Sequence, residues 1–569
     1  MKKPSRFYFT YFIFEFFIGI KRIKQSLILF LLIVLAGIST SCNNKENKKV
    51  EIKRPNIVLI VADDLGFGDI GCYGGDIETP NIDGLAQSGI KFSSFHTAPM
   101  CAPTRAMLLS GNDNHIAGMG GQGLVTNEFG YEGRLTNRII AIPELLKDVD
   151  YHTYMAGKWH LGKEPRSNPH QKGFEKSYVL INGAGNHYNN QSALNNGKSS
   201  YTENGESVVW EEGNYSTDFY TDKLIEYINS NKNDGKPFFA FATYTSPHWP
   251  LQVDEKHWEK YKGLYDEGYE KLRKKRLNSL KKAGIIAQQT MLPPVHERVI
   301  PWNSLSKIEQ KKEARKMELY AGMVDNLDYN IGRLLTYLKE IGEYENTLFV
   351  FMSDNGAGHR DFINNDNRSD LKDYYNDDYD KMGMPNSYIS YGPQWAEAGS
   401  SPFRYFKDYA TQGGINTTMI ISGPNVNRKN EIHHGFTSLL DLAPTFYDVA
   451  DATYPNRYKE NEVYPLKGNS LIPFVSGNNN LIHGPDYIFA IEHYGNAMLR
   501  KGNWKITSFI RPFKVENFGL YNLSKDFGEQ IDLKKTEPEK FKELLSEWDK
   551  FSKEIKIQTP PPKAKISKK

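Results

Sequence analysis

The feature that most constrains this chain is a pair of short apolar runs, far apart in sequence, that both end in acidic residues. Asn56 to Ala62 (NIVLIVA) leads into Asp63-Asp64, and Thr347 to Met352 (TLFVFM) leads into Ser353-Asp354-Asn355-Gly356. Runs this short, rich in β-branched residues and lacking polar alternation, read as strands buried on both faces of a parallel sheet. Ligands of open α/β sheets bind beyond the carboxyl ends of the strands, so the two acidic ends can meet at one site. A third run, Pro237 to Thr243 (PFFAFAT), continues into Tyr244-Thr245-Ser246-Pro247-His248. Helical patterns lie between, including Lys312 to Glu340. Strands alternating with helices predict an α/β fold.

After a helix-like Ser438 to Ala450, short runs follow one another: Tyr487 to Glu492, Asn496 to Leu499 and Trp504 to Phe509, separated by Gly, Asn and Lys. They predict a small antiparallel sheet, and Lys540 to Phe551 a closing helix. The expected division is a large domain over 56–480, a small α+β subdomain over 481–556, and a Pro- and Lys-rich tail, 557–569, without packed structure. With 569 residues, 39% of them hydrophobic, the chain can bury a sizeable core. Its net charge of +3 gives no reason to expect a nucleic-acid partner. The basic segment Arg273 to Lys282 lacks interleaved aromatics and reads as a solvated helix face.

Lys2, Lys3, Lys21, Arg22 and Lys24 precede the apolar run Leu27 to Ile38, and Ser39-Thr40-Ser41-Cys42 follows. This is an export-signal pattern over residues 1–41, with an apolar run too short for a membrane span. The small residues before Cys42 resemble a bacterial lipobox, although Ser39 stands where leucine is usual. A lipidated Cys42 and a polar tether over 42–55 imply a lipoprotein in the periplasm or at the cell surface, with simple secretion as the alternative. The three cysteines, Cys42, Cys72 and Cys101, provide no disulfide framework, and Cys72 reads as a buried, inert thiol.

The chemistry centres on Cys101-Ala102-Pro103-Thr104-Arg105, followed by Leu109-Ser110-Gly111. It matches C-x-P-[ST]-R-x-x-x-[LM]-[TS]-G, the signature of the type I sulfatases. The resemblance extends from Asn56 to about Phe551 through NIVLIVADDLGFGDIGCYGG, NDNHIAGMG, YMAGKWHLG, NHY, SPHWPLQ, NTLFVFMSDNGA and LRKGNWK. It is closest to the bacterial arylsulfatase branch. It implies the alkaline-phosphatase type of fold, a mixed and largely parallel sheet between helices, and hydrolysis of sulfate monoesters, aryl or carbohydrate. It further implies that a maturation enzyme oxidises Cys101 to formylglycine, whose hydrated form attacks sulfur with one hydroxyl and releases sulfate with the other.

Asp63, Asp64, Asp354 and Asn355 are oxygen donors, which select a hard cation, Ca²⁺ or Mg²⁺. Such residues also form ordinary turns. The resemblance favours calcium and adds the modified Cys101 to its ligands. It implies that Lys158 and Lys407 bind sulfate oxygens and that His160 helps deprotonate the nucleophile, while His248 protonates the leaving alcohol. Arg105, one helical turn from Cys101, is expected to hold the nucleophile. His115 matches the branch but has no evident role beyond lining or packing near the site. His359, His433 and His434 read as loop residues. A phosphonate or phosphodiester hydrolase of the same superfamily and an inactive glycan-binding lipoprotein are the rival readings. The sequence leaves open the alcohol part of the substrate and the oligomeric state.

If Cys42 carries the anchor, Cys42→Ser should move the protein from the membrane to the soluble fraction with catalysis intact. Undiminished membrane retention of this variant would show that the anchor lies elsewhere.

Overall fold

The computed structural model describes residues 53–194, 197–361, 376–510 and 513–558. The export signal, Cys42 and its tether up to residue 52, residues 362–375, and the tail from Thr559 lie outside the described residues.

Eleven strands form the main sheet: β1 (Asn56–Ala62), β2 (Gly89–His96), β3 (His152–Lys158), β4 (Lys176–Leu180), β5 (Tyr201–Glu203), β6 (Glu206–Val208), β7 (Phe238–Thr243), β8 (Thr347–Ser353), β9 (Asn416–Ser422), β10 (Glu431–His433) and β11 (Thr437–Ser438). Their order is β10-β2-β9-β8-β1-β7-β3-β4-β5-β6, with β11 also on β2. The centre is parallel: β1 pairs with β7 and β8, and β3 with β7 and β4. β9 runs antiparallel to both β8 and β2. The mixed, mostly parallel α/β sheet expected from the sequence is therefore present.

Strand β1 shows why an unbroken apolar run is needed at the centre. Val58, Ile60 and Ala62 enter the core on one face, while Ile57, Leu59 and Val61 enter the core on the other. Helices cover both faces, including α1 (Pro80–Ser88), α2 (Cys101–Ser110), α3 (Ser216–Asn231), α4 (Tyr269–Lys282) and α5 (Lys307–Glu340). α5 starts earlier than its apolar pattern suggests because Ser306 and Glu309 form a capping box. Ser306 Oγ accepts from Glu309 N at 3.3 Å, and Glu309 Oε2 accepts from Ser306 N at 2.7 Å.

Beyond a two-stranded hairpin, β12 (Arg457–Tyr458) with β13 (Asn461–Glu462), lies the expected antiparallel sheet. It has four strands, β14 (Ile488–His493), β15 (Asn496–Lys501), β16 (Trp504–Ser508) and β17 (Gly519–Asn522), with α6 (Pro538–Glu554) against them. β17 escaped the sequence reading because GLYN carries too little apolar pattern to stand out.

Three expectations change. The basic segment on α4 is not wholly solvated: Arg273 and Arg276 are buried, Arg273 beside Glu397 and Arg276 on Asp69 and Asp76. Helical periodicity gives a face and not the partners waiting on the other side. Cys72 is half-buried rather than buried; burial and then Asp83 push its thiol well above the usual range. His433 ends strand β10 instead of lying in a loop.

His115 ties the main domain to the four-stranded sheet. Its Nδ1 lies 3.2 Å from Asp113 Oδ1 and its Nε2 3.0 Å from Glu492 Oε2 on β14, with the ring fully buried. Burial opposes the charge, but hydrogen bonds to both carboxylates overcome it and raise the imidazole from 6.5 to about 9. A raised folded-state value stabilises the fold fully below about pH 6.5, and that stabilisation fades as pH rises through about 9. The span corresponds to roughly 3 kcal/mol. His115→Gln should accordingly flatten the stability-against-pH curve between pH 6.5 and 9, measured by denaturant unfolding. Wild-type and variant curves that stay parallel across that window would show that no such ion pair forms.

Candidate active site

Register brings the two acidic strand ends together. β1 and β8 pair from Asn56 with Thr347 to Ala62 with Ser353, so Asp63 and Asp354 follow at one level. Asp354 N–H donates to Ala62 O at 3.0 Å and Asp63 N–H to Ser246 O at 3.1 Å, which carries the ladder past the strand ends. Lys158 ends β3, and the His248 loop leaves the end of β7. Helix α2 begins at Cys101, so its positive N-terminal end faces the same space. Pro103 is tolerated in this first turn because no donor is lost there.

Four cations or thiols and three carboxylates interlock in this space. Lys158 Nζ lies 2.6 Å from Asp63 Oδ2, and Lys407 Nζ 2.5 Å from Asp64 Oδ1. Lys407 also donates to Cys101 Sγ at 3.1 Å, and the thiol donates to Asp63 Oδ1 at 3.4 Å. Arg105 Nη2 lies 2.9 Å from Asp354 Oδ2, while its Nη1 donates to Lys158 O at 2.9 Å and to Thr243 Oγ1. Arg105 thus braces a carboxylate and two strand ends. Its hydrogen bonds go to Lys158, Thr243 and Asp354 rather than to Cys101.

Burial would raise the Asp63 carboxyl, but Lys158, then His248 and Arg105, hold it well below the usual range. Burial and then Asp63 push Asp354 up to about 6. The Cys101 thiol is pushed up to about 12, first by burial and then by Asp354. At neutral pH it stays protonated, so an unmodified Cys101 is a poor nucleophile.

The residues fit a hard cation. Ligand atoms of Asp63, Asp64, Cys101 and His248 all lie within 4.8 Å of one another. Asp64 Oδ2 and Asn355 Oδ1 are buried oxygens without a hydrogen-bond donor. His248 Nδ1 faces the carbonyl of Trp249 at 2.7 Å and must donate to it, so in the neutral ring Nε2 turns a lone pair towards Asp64 Oδ2 at 3.5 Å. Two acceptors facing each other mark a place for a cation or proton. Formal charges of Asp63, Asp64 and Asp354 against Arg105, Lys158 and Lys407 sum to zero, so a divalent cation and an anionic ester can enter together without a large net charge.

His160 adopts a left-handed backbone, φ 61°, and its Nδ1 is buried without a partner. Burial, then Lys158 and Arg105, hold its imidazole well below 6.5, leaving it neutral and able to accept a proton. It lines a cavity of about 350 Å³ with Gln122, Arg134, Asn182 and Gly183. His248 is likewise lowered by burial, to about 4, despite Asp64 and Asp63. His359, read as an ordinary loop residue, is buried and stacks on Phe406 beside Lys407, 3.3 Å from Asp408. His115, for which lining or packing near the site is the expectation, packs as the brace to Glu492 described above.

The sequence reading missed several residues that shape this site. His187 Nε2 lies 3.0 Å from His248 O and its Nδ1 2.7 Å from Ser216 Oγ, which fixes the His248 loop. Gly183 lies against His160, where a Cβ would come within 2.4 Å of the ring. Gly358 lies equally close to Asp64 Oδ2. The NHY motif pointed towards His187, whereas nothing in the pattern distinguishes these two glycines from turn formers.

Comparison with known proteins agrees with this geometry. The Sulfatase family model matches residues 55–452. An uncharacterized sulfatase of Schizosaccharomyces pombe is 37% identical over 90% of this chain and 96% of its own. An arylsulfatase of Klebsiella aerogenes is 37% identical over 74% of this chain and 91% of its own. The crystal structure of Ps i-CgsB in complex with k-i-k-neocarrahexaose superimposes with a TM-score of 0.64 at 25% identity, covering 89% of this chain and 94% of that one. The chain belongs to the type I sulfatase family of sulfuric ester hydrolases.

Proposed function

We propose that this protein hydrolyses sulfate monoesters, of an aryl alcohol or a carbohydrate, to alcohol and inorganic sulfate, using calcium and a formylglycine made from Cys101. The observation that carries this reading is the position of Cys101 at the start of α2, in contact with both Asp63 and Lys407. When present, formylglycine supplies the attacking and releasing oxygen, and calcium withdraws charge from the sulfate group. Asp63, Asp64, Asp354 and Asn355 would hold the cation. Lys158 and Lys407 would offer ammonium groups to the sulfate oxygens. Neutral His160 takes the proton of the nucleophile. His248 gives one to the leaving oxygen once the negative ester beside it favours the imidazolium. Arg105 keeps Asp354 ionised and in place.

The arylsulfatase relative supports an aryl substrate, and the k-i-k-neocarrahexaose bound to Ps i-CgsB supports a glycan. The export pattern before Cys42 suits a lipoprotein acting on sulfated material outside the cytoplasm. The maturation enzyme would act on the CAPTR segment before the chain folds, because the folded structure buries it.

Calcium at a hundredfold excess over its Kd should raise the melting temperature by about 2–3 °C through mass action on the folded state. Asp64→Ala should abolish the rise. A rise with Zn²⁺ but not with Ca²⁺ or Mg²⁺ would contradict the oxygen-donor assignment.

The nucleophile is tested by mass spectrometry of the peptide containing position 101, which should be lighter than its sequence by exchange of sulfur for oxygen and loss of two hydrogens. Cys101→Ala should retain the calcium-induced rise yet lose turnover. Cys101→Ser should perform one turnover and remain esterified, because a serine has one hydroxyl and lacks the second that expels sulfate. Full activity of the unmodified thiol protein, or repeated turnover by the serine variant at the native rate, would overturn this mechanism.

A further inference from the structure

We propose that the four-stranded C-terminal sheet carries a second binding site, for an oxyanion of the sulfate class, in a cavity of about 230 Å³ whose cation is Arg500. The inference rests on Arg500 and its surroundings and not on the reading of Cys101.

Arg500 projects from β15 and is only 7% exposed. Its Nε donates to Gly502 O at 2.8 Å, its Nη1 lies 3.4 Å from both Ser94 Oγ and His96 Nε2, and its guanidinium carbon lies 4.6 Å from the Phe436 ring centroid. These partners carry no negative charge. His96 is itself held well below 6.5, first by burial and then by Arg500, so it remains neutral. None of the residues lining the cavity is acidic. Glu529, the buried carboxylate of the same layer, already accepts from Lys505 Nζ at 2.5 Å and from Gln412 N at 2.6 Å. Asp441, behind His483, accepts from the N–H groups of Ser438 and Asn469 and lies 2.9 Å from His483 Nε2.

A guanidinium withdrawn from water without a carboxylate is costly, and burial alone lowers Arg500 to about 9. Proteins pair such a group with an anion, and the planar fork of arginine matches two oxygens of a sulfate, phosphate or carboxylate. Among the described residues none supplies that anion, so an anion from outside the chain fits here. The space exceeds one inorganic oxyanion, since it corresponds to roughly seven or eight water volumes of about 30 Å³. The rings of Phe436 and Tyr487 line it together with the amide of Asn503, which suits an oxyanion carried on a sugar-sized ring.

The location is also informative. His96 ends β2, which runs in the same direction as β8 because β9 is antiparallel to both. Arg500 is therefore placed at the same edge of the main sheet as Cys101, three strands along from β1 in the order β2-β9-β8-β1. A sulfated chain lying along this edge meets one cationic site where sulfate is removed and another where it is only held.

The test is calorimetric titration of full-length Cys101→Ala, which cannot turn over, with glucose 6-sulfate, inorganic sulfate and unsulfated glucose. One equivalent of glucose 6-sulfate is expected at the Arg500 cavity, in addition to whatever the Cys101 site binds. That equivalent should disappear in Cys101→Ala proteins that also carry Arg500→Gln or Gly484→Trp. Gly484 lines the cavity, and a Cβ there meets nothing within 4 Å, so the indole can fill the mouth of the cavity without strain even if loss of Arg500 impairs folding. Gly484→Trp alone, in the otherwise native enzyme, should leave turnover of a small aryl sulfate unchanged. Occupation of the Arg500 cavity by inorganic sulfate as tightly as by glucose 6-sulfate would assign the site to the free anion, and preference for the sugar sulfate would assign it to a glycan. A stoichiometry that Gly484→Trp does not alter, or equal binding of unsulfated glucose, would overturn the proposal.

Discussion

The structure depends on mutual neutralisation of charges that water cannot reach. Asp63, Asp64, Asp354, Arg105 and Lys158 are at most 2% exposed, and Lys407 is 7% exposed. Each is tolerable only because the others are present: Lys158 on Asp63, Lys407 on Asp64, Arg105 on Asp354. Removing one partner from a buried pair typically costs 3–5 kcal/mol, because it leaves a charge without compensation. The site therefore specifies the fold as well as using it. Its six ionised groups come from β1, α2, β3, the end of β8 and the loop containing Lys407, and all five segments must be in place before any of these charges is stable.

The sheet makes this convergence possible at a modest cost in precision elsewhere. Parallel pairing of β7, β1 and β8 fixes three strand ends to one level, and β3 adds Lys158 one strand further on. Short loops then turn each side chain inward, with Asp64 and His160 both in the left-handed region to do so. Such backbone strain is affordable because the strands beneath are buried on both faces and cannot shift.

How much of this the sequence disclosed follows from what sequence patterns encode. Apolar runs bounded by acidic residues revealed β1 and β8 and their common site, because burial on both faces leaves a continuous run and strand ends collect function. The pattern around Cys101 was equally legible. Directions of long side chains were not. Arg105 stands one turn from Cys101, yet its guanidinium reaches away to Asp354 and Thr243, since a buried cation goes where a carboxylate is. His115 showed the same limit: Glu492, its partner, lies on another sheet hundreds of residues away, and no local spacing announces it. Gly183 and Gly358 are legible only once the groups they make room for have positions.

The burial of the thiol bears on the proposed modification of Cys101. Burial first, and then the negative field of Asp354, push the Cys101 thiol up to about 12. Lys158 and Lys407 act in the other direction and do not overcome it. Burial is the larger obstacle to a thiolate at neutral pH, and the carboxylates proposed to hold the cation add to it. In the mechanism proposed above an oxygen nucleophile avoids the conflict, because its proton would pass to neutral His160 only as the bond to sulfur forms, and no persistent anion would have to survive beside the aspartates. The electrostatics that make Cys101 a poor thiol nucleophile thus suit an oxygen nucleophile at the same position.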